Sequence, residues 1–405
     1  MLTELGTSSP KSKTPFIQLL TEDVIKLALQ RKYPSVADME TAARKRLPRF
    51  IWDYLYCGMG HGDAVRRNHQ ALDSVKLVPD YLVPSDSINL ETNFLGRTYS
   101  APFGVAPVGL GGIAWPLSAE YLAQAAQNDR IPFCASTFAM TSLETLRECA
   151  GEYAWFQLYL PNQRKIEDDI LKRARDAGYQ NLIVTVDVPH AMRRDHDIRN
   201  GFSIPVKWNL QNLFQIAAHP GWAFAMARSG FPVFQNLTRY VPHRLSSNDS
   251  LDYLGKLTVG HITQNTLERL RDNWKGNILV KGVLGVEDAL ICRKTGMDGI
   301  IVSNHGGRQL EAAPAPADIL PQIRKAVGPD YSLIADGGVR NGLDIYRLIN
   351  RGANLVLLGR AYYYAVVALG KQGPSHLNQI LREELRAAIS QLGLNSPHDT
   401  QHINN

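Results

Sequence analysis

Cysteine is scarce in this chain, and it never falls in metal-binding spacing. Cys57, Cys134, Cys149 and Cys292 stand far apart, with no CxxC or CxxH pair among them. That pattern excludes a zinc site and reads as reduced, mostly buried thiols of a cytoplasmic protein. Long apolar runs are absent too: no stretch reaches the roughly 18 uncharged apolar residues that a spanning helix needs. The opening MLTELGTSSPKSKTPF has no apolar core after its charges, which speaks against a secretory signal. No GxGxxG turn follows the first apolar run, which counts against the runner-up fold, a doubly wound open sheet. Charge of one sign is nowhere concentrated. The net charge of +6 favours anionic partners, membrane surfaces included, but it is too dispersed to argue for nucleic acid.

What is present is core. The chain has 405 residues, 44% of them hydrophobic, enough for one large α/β domain with additions. A helical patch is expected near Glu22 to Gln30. Ser35 is placed as N-cap of a helix running through Arg46, because its hydroxyl can accept from the first free backbone amides. Pro48 to Tyr56 then carries an aromatic-rich helix, RFIWDYLY.

From residue 103 short apolar runs alternate with amphipathic segments. The runs begin at Phe103, Pro132, Trp155, Leu182, Ile278, Gly299, Ser332 and Leu355. Helical patterns such as Leu117 to Asn128, Ile166 to Ala177, Val286 to Thr295 and Gly342 to Asn350 lie between them. Eight such units predict an α/β fold, a (β/α)8 TIM barrel. Residues 1–45 read as an N-terminal helical extension, 46–395 as the barrel and 396–405 as a flexible tail. One spacing breaks the rhythm: about 90 residues separate strands four and five, far more than a usual connection. The insertion at 197–265 interleaves Trp208, Leu210, Leu213, Phe214, Trp222, Phe224, Phe231 and Phe234 with Lys207, His219 and Arg228. It reads either as a lid packed on the barrel or as an interfacial segment that dips into a membrane.

In a barrel, function collects where strands end. Here nearly every end carries a polar or reactive residue. The first offers Pro107, Val108 and Gly109, the second Ser136, the third Gln157 and Tyr159. The fourth offers Thr185 and Asp187 with Arg194 beyond, and the fifth Lys281. The sixth ends in SNHGGRQL, which brings Ser303, His305 and Arg308 to one mouth. A base beside a fixed cation is what an enzyme needs to hold a carboxylate and take a proton from its neighbour. The last two ends, Asp336-Gly-Gly-Val-Arg340 and Gly359-Arg360, leave open amides and cations suited to a phosphate.

These pieces together resemble the FMN-dependent α-hydroxy acid dehydrogenase and oxidase family. The matching segments are LPRFIWDYL, APVGL, WFQLYL, VTVDVP, RRDHDIRNGF, LVKG, SNHGGRQL, DGGVRNG and LLGR, and they cover about residues 45 to 395. The resemblance implies an enzyme that oxidises a 2-hydroxy acid to the 2-oxo acid with FMN as cofactor. It implies His305 as the base, Asp187 as the carboxylate that orients it, and Tyr159 at the substrate oxygen. Arg308, Arg194 and Tyr54 would bind the substrate carboxylate. Lys281 would lie by the flavin N1–O2 edge, with Ser136, Gln157, Thr185 and Ser303 near the ring, and Pro107, Val108 and Gly109 against it. Asp336, Gly338, Arg340, Gly359 and Arg360 would hold the rest of FMN, its phosphate above all.

In this resemblance Gly109 leaves room for the substrate side chain near the flavin and Phe138 closes part of it again; family lactate and mandelate enzymes share this glycine, and the expectation leans to aromatic acids such as mandelate. The long insertion, with HPGW at 219–222, resembles the membrane-associated dehydrogenase branch. That implies a quinone as electron acceptor and a peripheral place on the cytoplasmic membrane. The alternative is an oxidase that uses oxygen and makes hydrogen peroxide. Family members are often homotetramers, which is the assembly expected here.

Overall fold

The computed structural model describes residues 24, 26–83, 87–190, 192–202, 209–230, 233–242, 253–258 and 260–399. Eight parallel strands close into a barrel. They are β1 (Phe103–Val105), β2 (Phe133–Ser136), β3 (Ala154–Leu158) and β4 (Asn181–Thr185). The circle continues with β5 (Asn277–Val283), β6 (Gly299–Val302), β7 (Ser332–Asp336) and β8 (Leu355–Leu358), which pairs back to β1. The expected (β/α)8 TIM barrel is therefore the fold, and each expected strand appears within a few residues of its place.

The strands are near-continuous apolar runs because both faces are covered. Side chains alternate between them. Ile183, Leu279, Ile301, Ile334 and Leu357 fill the barrel interior. Leu182, Val184, Ile278, Val280, Ile300 and Val356 point outward under the helices. A two-stranded hairpin, Thr92–Phe94 with Arg97–Tyr99, closes one end of the barrel. There the Trp155 indole donates to the Tyr99 hydroxyl at 3.1 Å inside the interior cluster. The opposite end, where the strands finish, stays open.

Ser35 does cap the helix Val36–Arg46, accepting from the Asp38 amide. This segment packs as part of the barrel wall. Val36, Met39 and Ala43 are buried, and Arg46 Nη1 donates to the Val367 and Ala368 carbonyls at 3.0 and 2.6 Å. Of the helical patch expected at Glu22 to Gln30, residues 22, 23 and 25 lie outside the described residues; Val24 and 26–30 are helical. The sequence reading of 396–405 as a flexible tail needs correction for its first residues. The Asp399 carboxylate accepts from the Asn395 and Ser396 amides, and His398 Nε2 lies 3.1 Å from Thr92 Oγ1. Residues 400–405 lie outside the described residues.

The long insertion has two faces. Helices Leu210–Ala217 and Pro220–Ser229 pack beside helix Arg49–Tyr56 and the segment after β1. Inward, Trp222 is buried edge-on against Phe50 and donates to the Ile113 carbonyl, while Phe234 and Leu237 are also buried. Asn236 accepts from the Leu143 amide at 2.7 Å and pins the segment to the barrel. Outward, Leu210, Phe214 and Phe224 are 75%, 74% and 69% exposed, although most of their surface is apolar. The inward residues pack on the barrel as the lid reading expects, and the outward ones leave apolar side chains exposed. Lys207, Trp208 and Phe231 lie outside the described residues.

Candidate active site

A cavity of ≈ 540 Å³ opens at the ends of the strands. That is ample for a cofactor and a small acid together. Its lining brings together Tyr54, Pro107, Val108, Gly109, Phe138, Tyr159, Arg194 and Lys281. His305, Arg308, Asp336, Gly338, Arg340, Gly359 and Arg360 complete the set drawn from the sequence. Asp187, Ser136, Gln157, Thr185 and Ser303, also drawn from the sequence, stand outside the lining.

The turn after β6 is built from left-handed backbone. His305, Gly306 and Gly307 have φ of 57°, 63° and 76°. Glycine takes this region freely and histidine only at a cost, so His305 is held where the fold needs its ring. Its Nδ1 lies 3.0 and 3.1 Å from the two Asp187 oxygens, and its Nε2 lies 3.2 Å from the Tyr159 hydroxyl. An ionised Asp187 keeps the proton on Nδ1 and leaves the Nε2 lone pair facing the cavity.

Burial by itself raises the Asp187 carboxyl. The His305 ring, its hydrogen bond and the Lys281 ammonium outweigh that and hold it below the ordinary carboxylate range. The stability this charge contributes is present above the ordinary carboxylate pKa and is lost as pH falls through the depressed value. Gly282, at φ 102°, gives Asp187 its place: a Cβ there would stand 2.5 Å from the Asp187 side chain. Burial pushes the Tyr159 phenol well above its ordinary value. It stays protonated and donates.

Arg308 is half-buried and meets no carboxylate within ion-pair distance among the described residues. Its Nη1 donates to the carbonyls of Tyr54, Leu55 and Cys57 at 2.7, 3.4 and 3.2 Å, at the end of helix Arg49–Tyr56. The Tyr54 ring lies under both cations, 5.0 Å from Arg308 and 5.6 Å from Arg194. Burial first, then the Arg194 charge, push the Arg308 pKa down to about 9. The guanidinium is thus clamped, partly desolvated and short of an anion, as binding a carboxylate requires.

At the barrel floor Lys281 lies 3.0 Å from Asp336 Oδ2 and donates to Ser303 Oγ at 2.8 Å. Burial disfavours the ammonium, but Asp336 and Asp187 outweigh it and raise its pKa. Ser303 also accepts from the His305 amide at 3.0 Å, so it orients the base and the lysine from behind. Ser136 donates to Gln157 Oε1, and Gln157 Nε2 to Thr185 Oγ1, both at 2.9 Å, forming a chain across β2, β3 and β4. Across the cavity Arg360 donates to the Leu55 and Gly306 carbonyls at 3.1 and 2.8 Å, and Arg340 stands 3.7 Å from Glu40.

These residues fit FMN. Asp336 Oδ1 is buried without a hydrogen-bond partner and can accept from a ligand hydroxyl. A fixed ammonium sits at one end of the cavity and two cations with open glycine turns at the other. That is the charge pattern of a ring that takes up electrons, joined to a phosphate.

Several lining residues escaped the sequence reading. Phe202, Phe234, Leu254, Gly255 and Thr258 come from the insertion, where no strand period points to the mouth. Asp197 sits one helical turn from Arg194, 3.9 Å away. The i,i+3 spacing in RRDHDIRN was its only available signal.

A closed parallel barrel with this mouth defines an oxidoreductase that acts on CH–OH with a bound flavin. The chain belongs to the FMN-dependent dehydrogenase family, whose model matches residues 43–404, and FMN is its cofactor. It is 37% identical over 366 residues to an L-lactate dehydrogenase of Xanthobacter autotrophicus, covering 90% of this chain and 94% of that protein. Its fold is similar to that of the monotopic membrane protein (S)-mandelate dehydrogenase, with TM-score 0.86, 33% identity and coverage of 91% and 97%. A mandelate oxidase variant matches with TM-score 0.75, 31% identity and coverage of 90% and 96%.

Proposed function

We propose that this enzyme oxidises an L-2-hydroxy acid with an aromatic side chain, mandelate-like rather than lactate-like, while resting on a membrane, and passes the electrons to a quinone. Bound FMN supplies the electron acceptor for the substrate carbon. The protein's own groups do the rest. Arg308, backed by Arg194 and Tyr54, grips the carboxylate. Tyr159 donates to the C2 oxygen, and His305 Nε2 takes a substrate proton while Asp187 stabilises the imidazolium.

The observation that carries the membrane reading is the exposure of the apolar side chains Leu210, Phe214 and Phe224 on the insertion helices. No described helix is long and apolar enough to cross a bilayer, so the contact proposed is superficial. Arg228 on the same segment is exposed and suits an anionic leaflet. Replacing Phe214 and Phe224 together by Ser is expected to lower binding to anionic vesicles about a hundredfold or more, since each buried ring contributes about 1.5–3 kcal/mol. Vesicle flotation measures this, and bleaching by substrate should be unchanged. Flotation equal to that of the parent protein removes the membrane reading.

An aromatic wall of Phe138, Phe202, Phe234 and Tyr54 supports the aromatic substrate. The similarity to L-lactate dehydrogenases supports the smaller acid as the second reading. Anaerobic mixing with a panel of L-2-hydroxy acids separates them by flavin bleaching. Gly109 matters here because a Cβ would stand 2.9 Å from Phe138 Cβ, and Phe138 is itself packed on Tyr159 and Phe234. Gly109→Ala is expected to cost about 1–3 kcal/mol, roughly 5- to 150-fold in kcat/KM, for an aromatic acid, and less for lactate. Reoxidation in air at the rate seen with quinone would favour the oxidase reading. The homotetramer is part of the proposal, and light scattering tests it.

A further inference from the structure

A second cavity of ≈ 140 Å³ lies beside the first, between the β1 loop and the insertion helix Pro220–Ser229. Val108 and Tyr363 line both cavities, so a single layer of side chains separates them. The Tyr363 ring reaches this wall because Gly111 has no side chain; a Cβ there would stand 2.2 Å from the Tyr363 hydroxyl. The rim includes Leu117 and Val233, apolar residues that are 49% and 52% exposed, and the interior includes Met140 and Met226. The pocket therefore opens between two exposed apolar side chains, Leu117 from the β1 side and Val233 from the insertion.

Its chemistry is selective. The lining contains no Lys, Arg or His, and it contains the Glu120 carboxylate, which disfavours an anionic ligand. Ser118 Oγ is wholly buried there and has no hydrogen-bond partner of good geometry, with the Tyr363 hydroxyl beside it. An unpaired buried hydroxyl is costly unless a ligand satisfies it. A cavity of about 150 Å³ accepts a single six-membered ring.

We infer that this pocket is the site of the electron acceptor and takes the ring of a neutral benzoquinone, one carbonyl oxygen accepting from Ser118 Oγ. The assignment rests on the quinone reading proposed above. Two electrons and two protons leave the reduced flavin in the adjoining cavity. They convert both quinone carbonyls to hydroxyls and leave the flavin oxidised. The isoprenoid tail leaves between Leu117 and Val233 toward the apolar face.

The test uses holoenzyme reduced anaerobically by substrate, then mixed with a short-chain benzoquinone or with ferricyanide. Ser118→Ala is expected to slow reoxidation by the quinone about 5- to 10-fold, the value of one hydrogen bond. Val233→Trp should slow it further by closing the rim. Bleaching by substrate and reoxidation by ferricyanide should match the parent in both. An azido-benzoquinone should label the segment containing Met140 or Met226, and Val233→Trp should reduce the labelling. Parent quinone rates in both variants, or labelling elsewhere, overturn the pocket and leave the quinone reading standing. Failure of the quinone to reoxidise the parent enzyme overturns both.

Discussion

Replacement of His305 by Gln leaves FMN bound and slows flavin bleaching by about 10²- to 10⁴-fold, the usual contribution of a positioned base. The amide is close in size to imidazole but cannot accept a proton near neutral pH. The loss is expected in the chemical step rather than in binding, because the carboxylate clamp is carried by other residues. The geometry says why the effect is large. Nδ1 is occupied by Asp187 at 3.0 Å, so Nε2 is the only basic atom His305 can turn to a substrate. Tyr159 is at 3.2 Å from that atom, but burial raises its pKa and it cannot substitute as a base. Stopped-flow absorbance of the flavin, with flavin content measured alongside, is the check. Bleaching at the parent rate in this variant removes His305 from the role.

Replacement of Arg308 by Met is expected to cost about 2–5 kcal/mol of substrate interaction, roughly 30- to 5,000-fold in kcat/KM, as for other buried charge pairs that lose one partner. The reason is again environmental. Arg308 is half-buried with no carboxylate within ion-pair distance among the described residues, and its Nη1 is spent on the Tyr54, Leu55 and Cys57 carbonyls. The anion it lacks is the substrate's. Arg308→Lys keeps the charge but not the planar fork and should recover only part of the loss. The same contacts tie helix Arg49–Tyr56 to the β6 loop, so thermal unfolding and FMN content are measured on both variants. Near-parent kcat/KM in Arg308→Met would show that Arg194 alone holds the carboxylate.

Much of this site was legible before any coordinates. The rhythm of apolar runs places all eight strands, since a strand covered on both faces must be apolar throughout. The polar residues at their ends then fall on one rim by the geometry of the barrel alone. Other facts were out of reach of composition and period. Asp187 and His305 are 118 positions apart, and only the family resemblance implies their pairing. Ser303 reads as a cofactor ligand, yet its hydroxyl turns to Lys281 and the His305 amide. Tyr363 belongs to no motif singled out in the sequence, while its ring lines both cavities.

The sequence by itself determined the barrel, the rim and the kinds of chemical group on it. Hydrophobic period and strand-end position are local properties of the chain. The tertiary structure decided which groups touch, which charges lie beyond the reach of water, and which face of the insertion is buried. Those depend on distances between residues remote in sequence. They also decide protonation, because a carboxylate, an imidazole and a guanidinium take their working states from burial and from the neighbours that folding brings to them.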